Sequence, residues 1–169
     1  MTATPPLRIA LVGSGPAALF AAEELLRCGR PVAIEMFEKL PHPFGLVRYG
    51  VAPDHPNTRR VARLFERTLA HPSFRLHPGV EVGRALPWDD LRSRFDAVVV
   101  ATGAEDDRRL GIPGDHLPGV HSSLAFAGWA NGHPDFAQEP FDFAAETAVI
   151  IGNGNVALDL VRLLSREPA

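Results

Sequence analysis

The chain predicts a three-layer α/β fold built on a parallel sheet. Three observations carry that expectation. Two glycine turns, Gly13-Ser14-Gly15 and Gly152-Asn153-Gly154, each follow an apolar run and precede a helical one. Near the N-terminus a strand, a helix and a second strand fit within about 30 residues, the size of a βαβ unit. The apolar runs are continuous rather than alternating, as in strands covered on both faces.

The elements follow in order. Ile9 to Val12 is a buried strand that runs straight into the first turn. Pro16 suits a first helical turn, where its missing N–H costs little. Ala18, Ala21, Ala22 and Leu25 recur at helical spacing within Ala17 to Arg27, and Gly29 stops that helix. Val32 to Phe37, rich in branched and aromatic side chains, is the second strand. Leu40 to Pro56 holds four prolines and two glycines and is expected to be an irregular, functional loop. Thr58 to Leu69 is an amphipathic helix with Val61, Leu64, Phe65 and Leu69 on one face. Phe74 to His77 and Val80 to Val82 are short strands, Trp88 to Phe95 a short helix, and Ala97 to Ala101 an apolar strand. Ala104 to Ala144, rich in Pro, Gly, His and Asp, is expected to be a linker. Ala148 to Ile151 is a further strand and Val156 to Ser165 its helix.

Composition bounds the function. The 169 residues carry a net charge of −3 and are 46% hydrophobic and 22% charged, which is ordinary globular composition. A mildly acidic chain has no electrostatic footprint for nucleic acid or for an anionic membrane. The one cysteine, Cys28, excludes an internal disulfide and a Cys-x-x-Cys redox pair in this chain. The seven histidines show no ligand spacing, so no metal is expected. No apolar run reaches the ~18 residues that span a bilayer. No targeting pattern is visible either, so a cytoplasmic location is the expectation.

The two glycine turns form a repeat. Gly13-Ser14-Gly15-Pro16-Ala17-Ala18 and Gly152-Asn153-Gly154-Asn155-Val156-Ala157 both fit G-x-G-x-x-A. In such a turn the first glycine makes the tight bend and the second lets a pyrophosphate approach the backbone. The small third residue lets helix pack on strand. The helix N-terminus then offers free N–H groups to the phosphates. One such string could be only a tight connection. Two copies, each between strand and helix, point to two nucleotide sites. A carboxylate at the end of the second strand should meet a ribose. Glu38 is preferred over Glu35, because Glu38 lies at the strand end and Glu35 inside the run. A solvated strand end is the plain alternative for Glu38, and a surface-facing residue on an edge is that for Glu35. The second unit, residues 147–169, has only 23 residues against the ~30 of a βαβ unit. The chain is therefore expected to be a fragment, a truncated product or part of a larger polypeptide.

Further strings carry a resemblance. The first glycine turn, Pro43-Phe44-Gly45-Leu46-Val47-Arg48, Gly50-Val51-Ala52-Pro53-Asp54-His55-Pro56, Ile112-Pro113-Gly114 and Gly152 through Asp159 resemble the adrenodoxin-reductase type of ferredoxin–NADP reductase. The likeness runs in order from about residue 8 to the end. It implies a Rossmann-like FAD/NAD(P)-binding fold. Residues 1–104 would form an FAD-binding domain, 105–146 a linker and 147–169 the start of an NADP-binding domain. NADPH would give a hydride to FAD, which would pass single electrons to a ferredoxin-like iron–sulfur protein. By the same resemblance Gly13, Gly15, Pro16 and Ala17 lie along the FAD pyrophosphate and Glu38 holds the ribose. Gly45, Leu46 and Arg48 contact FAD, Val82 borders its adenine, and Thr102 and Gly103 close a strand against it. Arg108 faces the nicotinamide nucleotide, and Asn153, Gly154, Asn155 and Val156 cradle its pyrophosphate. His55 and Asp159 are the candidate catalytic pair. Arg108, His55 and Asp159 each have a plain alternative as solvated or turn residues.

The resemblance also implies gaps. The basic motif for the NADPH 2′-phosphate, the C-terminal glycine-rich segment over the flavin and most of the basic ferredoxin-docking surface do not occur here. The isolated chain is expected to bind FAD poorly and to be inactive. The arginines Arg59, Arg60, Arg63 and Arg67 are read as a solvated face, with a minor role toward an acidic ferredoxin as the alternative. The rival enzymes are a glutamate-synthase-type electron input and a disulfide reductase, both disfavoured by the lack of cysteines. The non-enzyme rival is an inactive nucleotide-binding fragment.

Overall fold

A computed structural model of the chain describes residues 4–104 and 106–165. It divides into two compact units: Met1–Arg48 with His55–Glu105, and Tyr49–Asp54 with Asp106–Ala169.

The first unit is a four-stranded, all-parallel sheet in the order β3-β2-β1-β4, with β1 Leu7–Val12, β2 Val32–Glu38, β3 Phe74–Pro78 and β4 Ala97–Val100. Side chains alternate across a strand, so each strand feeds two cores. Ile9 and Leu11 join Ile34 and Met36 on one face, beneath α1 (Pro16–Arg27) and α4 (Ala62–Leu69). Ala10, Val12 and Phe37 face the other way, onto Leu91 of α5 (Trp88–Arg94). Helices on both faces of a parallel sheet are the three-layer α/β arrangement that the sequence predicts. Phe65 is the largest fully buried side chain; it meets Phe20 edge-on at 5.2 Å between ring centres and Phe44 at 5.9 Å.

Several elements differ from the expectation. The helix over Thr58 to Leu69 is broken into α3 (Pro56–Arg59) and α4. At the break the amides of Arg60, Arg63 and Leu64 donate to carbonyls three residues back, and Arg60 and Val61 keep right-handed backbone angles, a tightened joint. The loop Leu40 to Pro56 contains a single helical turn, α2 (Leu46–Tyr49). Val80 to Val82 supplies only an isolated bridge, Val82 to Leu86, rather than a ladder strand.

The second unit holds α6 (Ser123–Ala130), a 3₁₀ turn (Pro134–Phe136) and α7 (Asn155–Leu164). Helix α6 lies within the segment read as irregular. Its sequence is almost wholly apolar, so it has no amphipathic period to detect, but Ser122 caps it by accepting from the Ala125 amide at 3.0 Å. Gly128 has to be small, because a Cβ there would run into the Phe136 ring. Ala148 to Ile151 is not a strand. Val149 is 82% and Ile151 65% exposed. A strand exists only through hydrogen bonds to a neighbour, and none of the described residues of this unit forms one.

Phe65→Ala should lower the unfolding free energy by about 3–5 kcal/mol, the usual cost of a large cavity in a packed core. Urea denaturation followed by far-UV circular dichroism measures it.

Candidate functional site

The first glycine turn sits at the C-terminal end of β1, and its geometry demands glycine at Gly13. The residue has φ +95°, and a Cβ there would stand 2.5 Å from the carbonyl oxygen of Ala101. The Gly13 amide donates to Phe37 O at 2.8 Å, tying the turn to β2. Gly15 differs: it is the N-cap of α1 with φ −73°, and a Cβ there would meet nothing within 4 Å. The space beside it, at the open N-terminus of α1, is free for a ligand. Gly45 approaches the same turn, its missing Cβ lying 2.9 Å from Gly15 Cα. Phe44, the one described non-glycine residue with positive φ, donates its amide to Ser14 O at 3.0 Å. Pro16 and Ala17 open the helix, Ala17 exposed beside the turn.

Glu38 ends β2 and is 7% exposed. Its Oε2 accepts from the Ser14 amide at 3.0 Å and from Ser14 Oγ; its Oε1 accepts from the Leu40 amide at 2.8 Å. A buried carboxylate needs such donors. Two oxygens offer about four lone-pair sites, so capacity for a further donor remains. Ser14, fully buried, is a partner of Glu38 that the sequence reading passed over; it is the variable position inside G-x-G, where the pattern carries no signal. Glu35 corrects the expectation of an edge position. It lies on β2, an interior strand, on the α5 face, with His77 Nε2 at 2.8 Å and Arg8 at 3.9 Å.

Around this turn Leu46 is 59% exposed and Arg48 is exposed, with Arg48 Nε donating to Pro43 O at 3.1 Å. Val82 is half-buried against the Phe37–Leu91 core. Thr102 and Gly103 are exposed directly after β4, Gly103 with φ +79°. His55 is half-buried and is the N-cap residue of α3.

In the second unit Gly152 has φ +126°, and its missing Cβ would meet only the Ala157 methyl, at 3.9 Å. Gly154 caps α7, and a Cβ there would meet nothing within 4 Å. Asn153, Asn155 and Val156 are exposed around it, and so is Arg108. This turn repeats the features of the first, a left-handed glycine and then an open one, without paired strands. Asp159 is half-buried, with Oδ1 2.7 Å from Arg162 Nη1. Arg162 also forks onto Asp54, through Nε at 2.7 Å and Nη2 at 2.8 Å. Hydrogen bonds to Asp54, then to Asp159, push the Arg162 pKa further above its ordinary value. Sequence reasoning missed this contact, because Asp54 and Arg162 are 108 residues apart.

The sequence and fold have known counterparts. The family described as pyridine nucleotide-disulphide oxidoreductase matches residues 7–166. A probable ferredoxin/ferredoxin--NADP reductase of Mycobacterium tuberculosis is 53% identical over 163 residues, which cover 96% of this chain and 28% of that protein. The mitochondrial NADPH:adrenodoxin oxidoreductase of Salvelinus fontinalis is 43% identical over 157 residues, covering 93% of this chain and 32% of that one. The solved structure of Mycobacterium tuberculosis FprA in complex with NADPH superposes with a TM-score of 0.91 at 48% identity, over 94% of this chain and 36% of that one. The chain thus spans about a third of the length of the proteins it matches.

Gly13→Ala should destabilise the chain by about 1–3 kcal/mol, since it forces a side chain into left-handed backbone against a carbonyl. Gly15→Ala should stay within about 1 kcal/mol, the scale of an N-cap change. Thermal unfolding of the two variants side by side checks the contrast.

Proposed function

Because the chain belongs to the pyridine nucleotide-disulphide oxidoreductase family, we propose that it is the FAD-binding portion, with the first nucleotide turn of the NADPH portion, of a ferredoxin–NADP reductase. One observation carries the reading. A buried carboxylate, Glu38, is bonded to the glycine turn beside an open helix N-terminus. A carboxylate and an open glycine turn at the carboxyl ends of adjacent parallel strands support a ribose acceptor and a pyrophosphate cradle there, since open α/β sheets bind dinucleotides at such ends. The names of the relatives support the direction of the chemistry: NADPH as donor and a ferredoxin or adrenodoxin as acceptor. Disulphide chemistry, which the family description allows, has no dithiol here, since Cys28 is the single cysteine.

The residues divide the work. Gly13 shapes the turn, and Gly15 leaves room for the pyrophosphate against the N-terminus of α1. Glu38 accepts from ribose hydroxyls while Ser14 and Leu40 hold its oxygens in place. Gly45, Leu46, Arg48, Val82, Thr102 and Gly103 border the same cofactor. Asn153, Gly154, Asn155 and Val156 cradle the NADPH pyrophosphate at α7, with Arg108 toward the nicotinamide nucleotide. His55 and Asp159 serve the redox step. FAD, when bound, supplies the conversion between two-electron hydride chemistry and single-electron transfer. The protein's share is orientation, so no covalent nucleophile is required. Residues 1–104 act as the FAD-binding domain, 105–146 as the connection and 147–169 as the start of the NADP-binding domain. The protein works in the cytoplasm.

FAD titrated into the chain, followed by flavin fluorescence, should show weak but saturable binding. Glu38→Gln should weaken it by about tenfold or more, the scale of a charge-assisted hydrogen bond. Gly15→Ala should weaken it as strongly while keeping its fold. Equal FAD binding by all three chains would overturn the assignment of the site.

A further inference from the structure

The arginines around α4 take no part in the proposed nucleotide site. Arg60, between α3 and α4, and Arg63 and Arg67 on α4 are exposed, whereas Arg59 is half-buried. Arg60 and Val61 keep right-handed helical angles, so spacings of three and then four residues set the three side chains on one face. The stripe is about 10 Å long at the helical rise. Phe65 and Thr68 of the same helix are buried. Phe65 meets Phe44, whose amide is bonded to Ser14 O in the first glycine turn. The stripe is thus the outer surface of a helix packed, within the first unit, onto the scaffold of that turn.

Local structure does not account for these charges. Among the described residues, none of the three side chains forms an ion pair or a hydrogen bond. Like charges three and four residues apart on a helix repel. Arg63 also lies in the first turn of α4, which holds no acidic residue and where the helix dipole disfavours a cation. Helices α1 and α5 balance their arginines: Glu23 and Glu24 hold Arg27 on α1, and Asp89 and Asp90 share α5 with Arg92 and Arg94. Residues 57–70 carry four arginines and one acid, Glu66, a local charge of +3 in a chain of net charge −3. An acidic partner is therefore repelled by the rest of the chain and drawn to this stripe.

We propose that Arg60, Arg63 and Arg67 form a docking surface for the acidic face of a protein electron acceptor. The inference rests on the reductase reading above, which requires a protein acceptor, and adds to it a surface that meets one. Carboxylates of the partner relieve the like-charge repulsion that the chain leaves in place. Exposed charges of this kind set association rate and salt dependence more than final affinity, which suits a partner that must leave after each electron. A long polyanion, such as nucleic acid or an anionic membrane, extends well past a stripe of about 10 Å and meets the acidic remainder of the chain.

The test measures binding of a purified, acidic two-iron ferredoxin to the whole chain by fluorescence anisotropy. At about 0.1 M salt, screening over about 10 Å keeps charge effects local. Arg60→Gln, Arg63→Gln and Arg67→Gln combined should weaken binding by about tenfold or more, the scale of three exposed ion pairs together. Removing the same charge elsewhere on the first unit, with Arg84→Gln, Arg92→Gln and Arg94→Gln combined, should weaken it by less than about twofold. Binding by the unaltered chain should fall as salt rises, and less steeply in the α4 variant. Both variants should keep the far-UV circular dichroism and the FAD titration of the unaltered chain. Equal weakening by the two variants, or no binding by the unaltered chain, overturns the docking surface. Tighter binding of duplex DNA or of phosphatidylserine vesicles than of the ferredoxin, lost in the α4 variant, overturns the choice of partner. The FAD titration decides the reductase reading separately: ferredoxin binding without FAD binding leaves an acidic-protein surface and removes the acceptor role.

Discussion

At the end of β1 the backbone of Gly13 passes beneath the carbonyl of Ala101, at a distance that leaves no room for a side chain. Three elements converge there. The Gly13 amide is bonded to Phe37 of β2, and the Ala101 amide, just past β4, is bonded to Val12. Ser14 then turns inward and meets Glu38 with both its amide and its hydroxyl. A Cβ at Gly13 would push β4 from β1 and lift the turn from β2. The placing of the Glu38 carboxylate, the open helix N-terminus and the closure of the sheet all depend on this one approach of backbone to backbone.

Burial of Glu38 is the cost attached to this arrangement. A carboxylate removed from water is tolerated only with donors in place, and this chain provides three. Two come from the residue between the glycines, so the turn with open space at Gly15 also orients the group proposed for the ribose. Site and scaffold are built from the same bonds. The second turn keeps the backbone angles, with Gly152 left-handed and Gly154 open, but Val149 and Ile151 before it stay exposed. Its helix is held instead by Arg162 to Asp54, a side-chain contact in place of a ladder of strand hydrogen bonds.

Local patterns were readable wherever a few consecutive residues decide the outcome. The strand–turn–helix at residues 7–27 follows from branched apolar residues, a glycine that must bend and a proline at the first helical position. That Glu38 rather than Glu35 ends the second strand is readable from position alone, whereas its bonds from Ser14 and Leu40 appear only in the fold. Helix α6 was not readable from periodicity, because apolar residues surround it on every side, although its Ser122 cap was in plain view. The strand expected at Ala148 to Ile151 shows the opposite limit: its residues have the composition of a buried strand, but composition does not provide a hydrogen-bonding neighbour.

The sequence by itself determined the parallel α/β class, the two glycine turns and the acidic residue at the end of the second strand. Each is set by backbone sterics or by side-chain periodicity over a short stretch, which neighbouring residues dictate without help. Tertiary structure alone decided that Ser14 binds Glu38, that Glu35 pairs with His77 on an interior strand, and that Arg162 reaches Asp54. Those contacts join residues 24, 42 and 108 positions apart. No local pattern encodes such a pairing, because it exists only once the sheet and helices have brought distant side chains within hydrogen-bond reach.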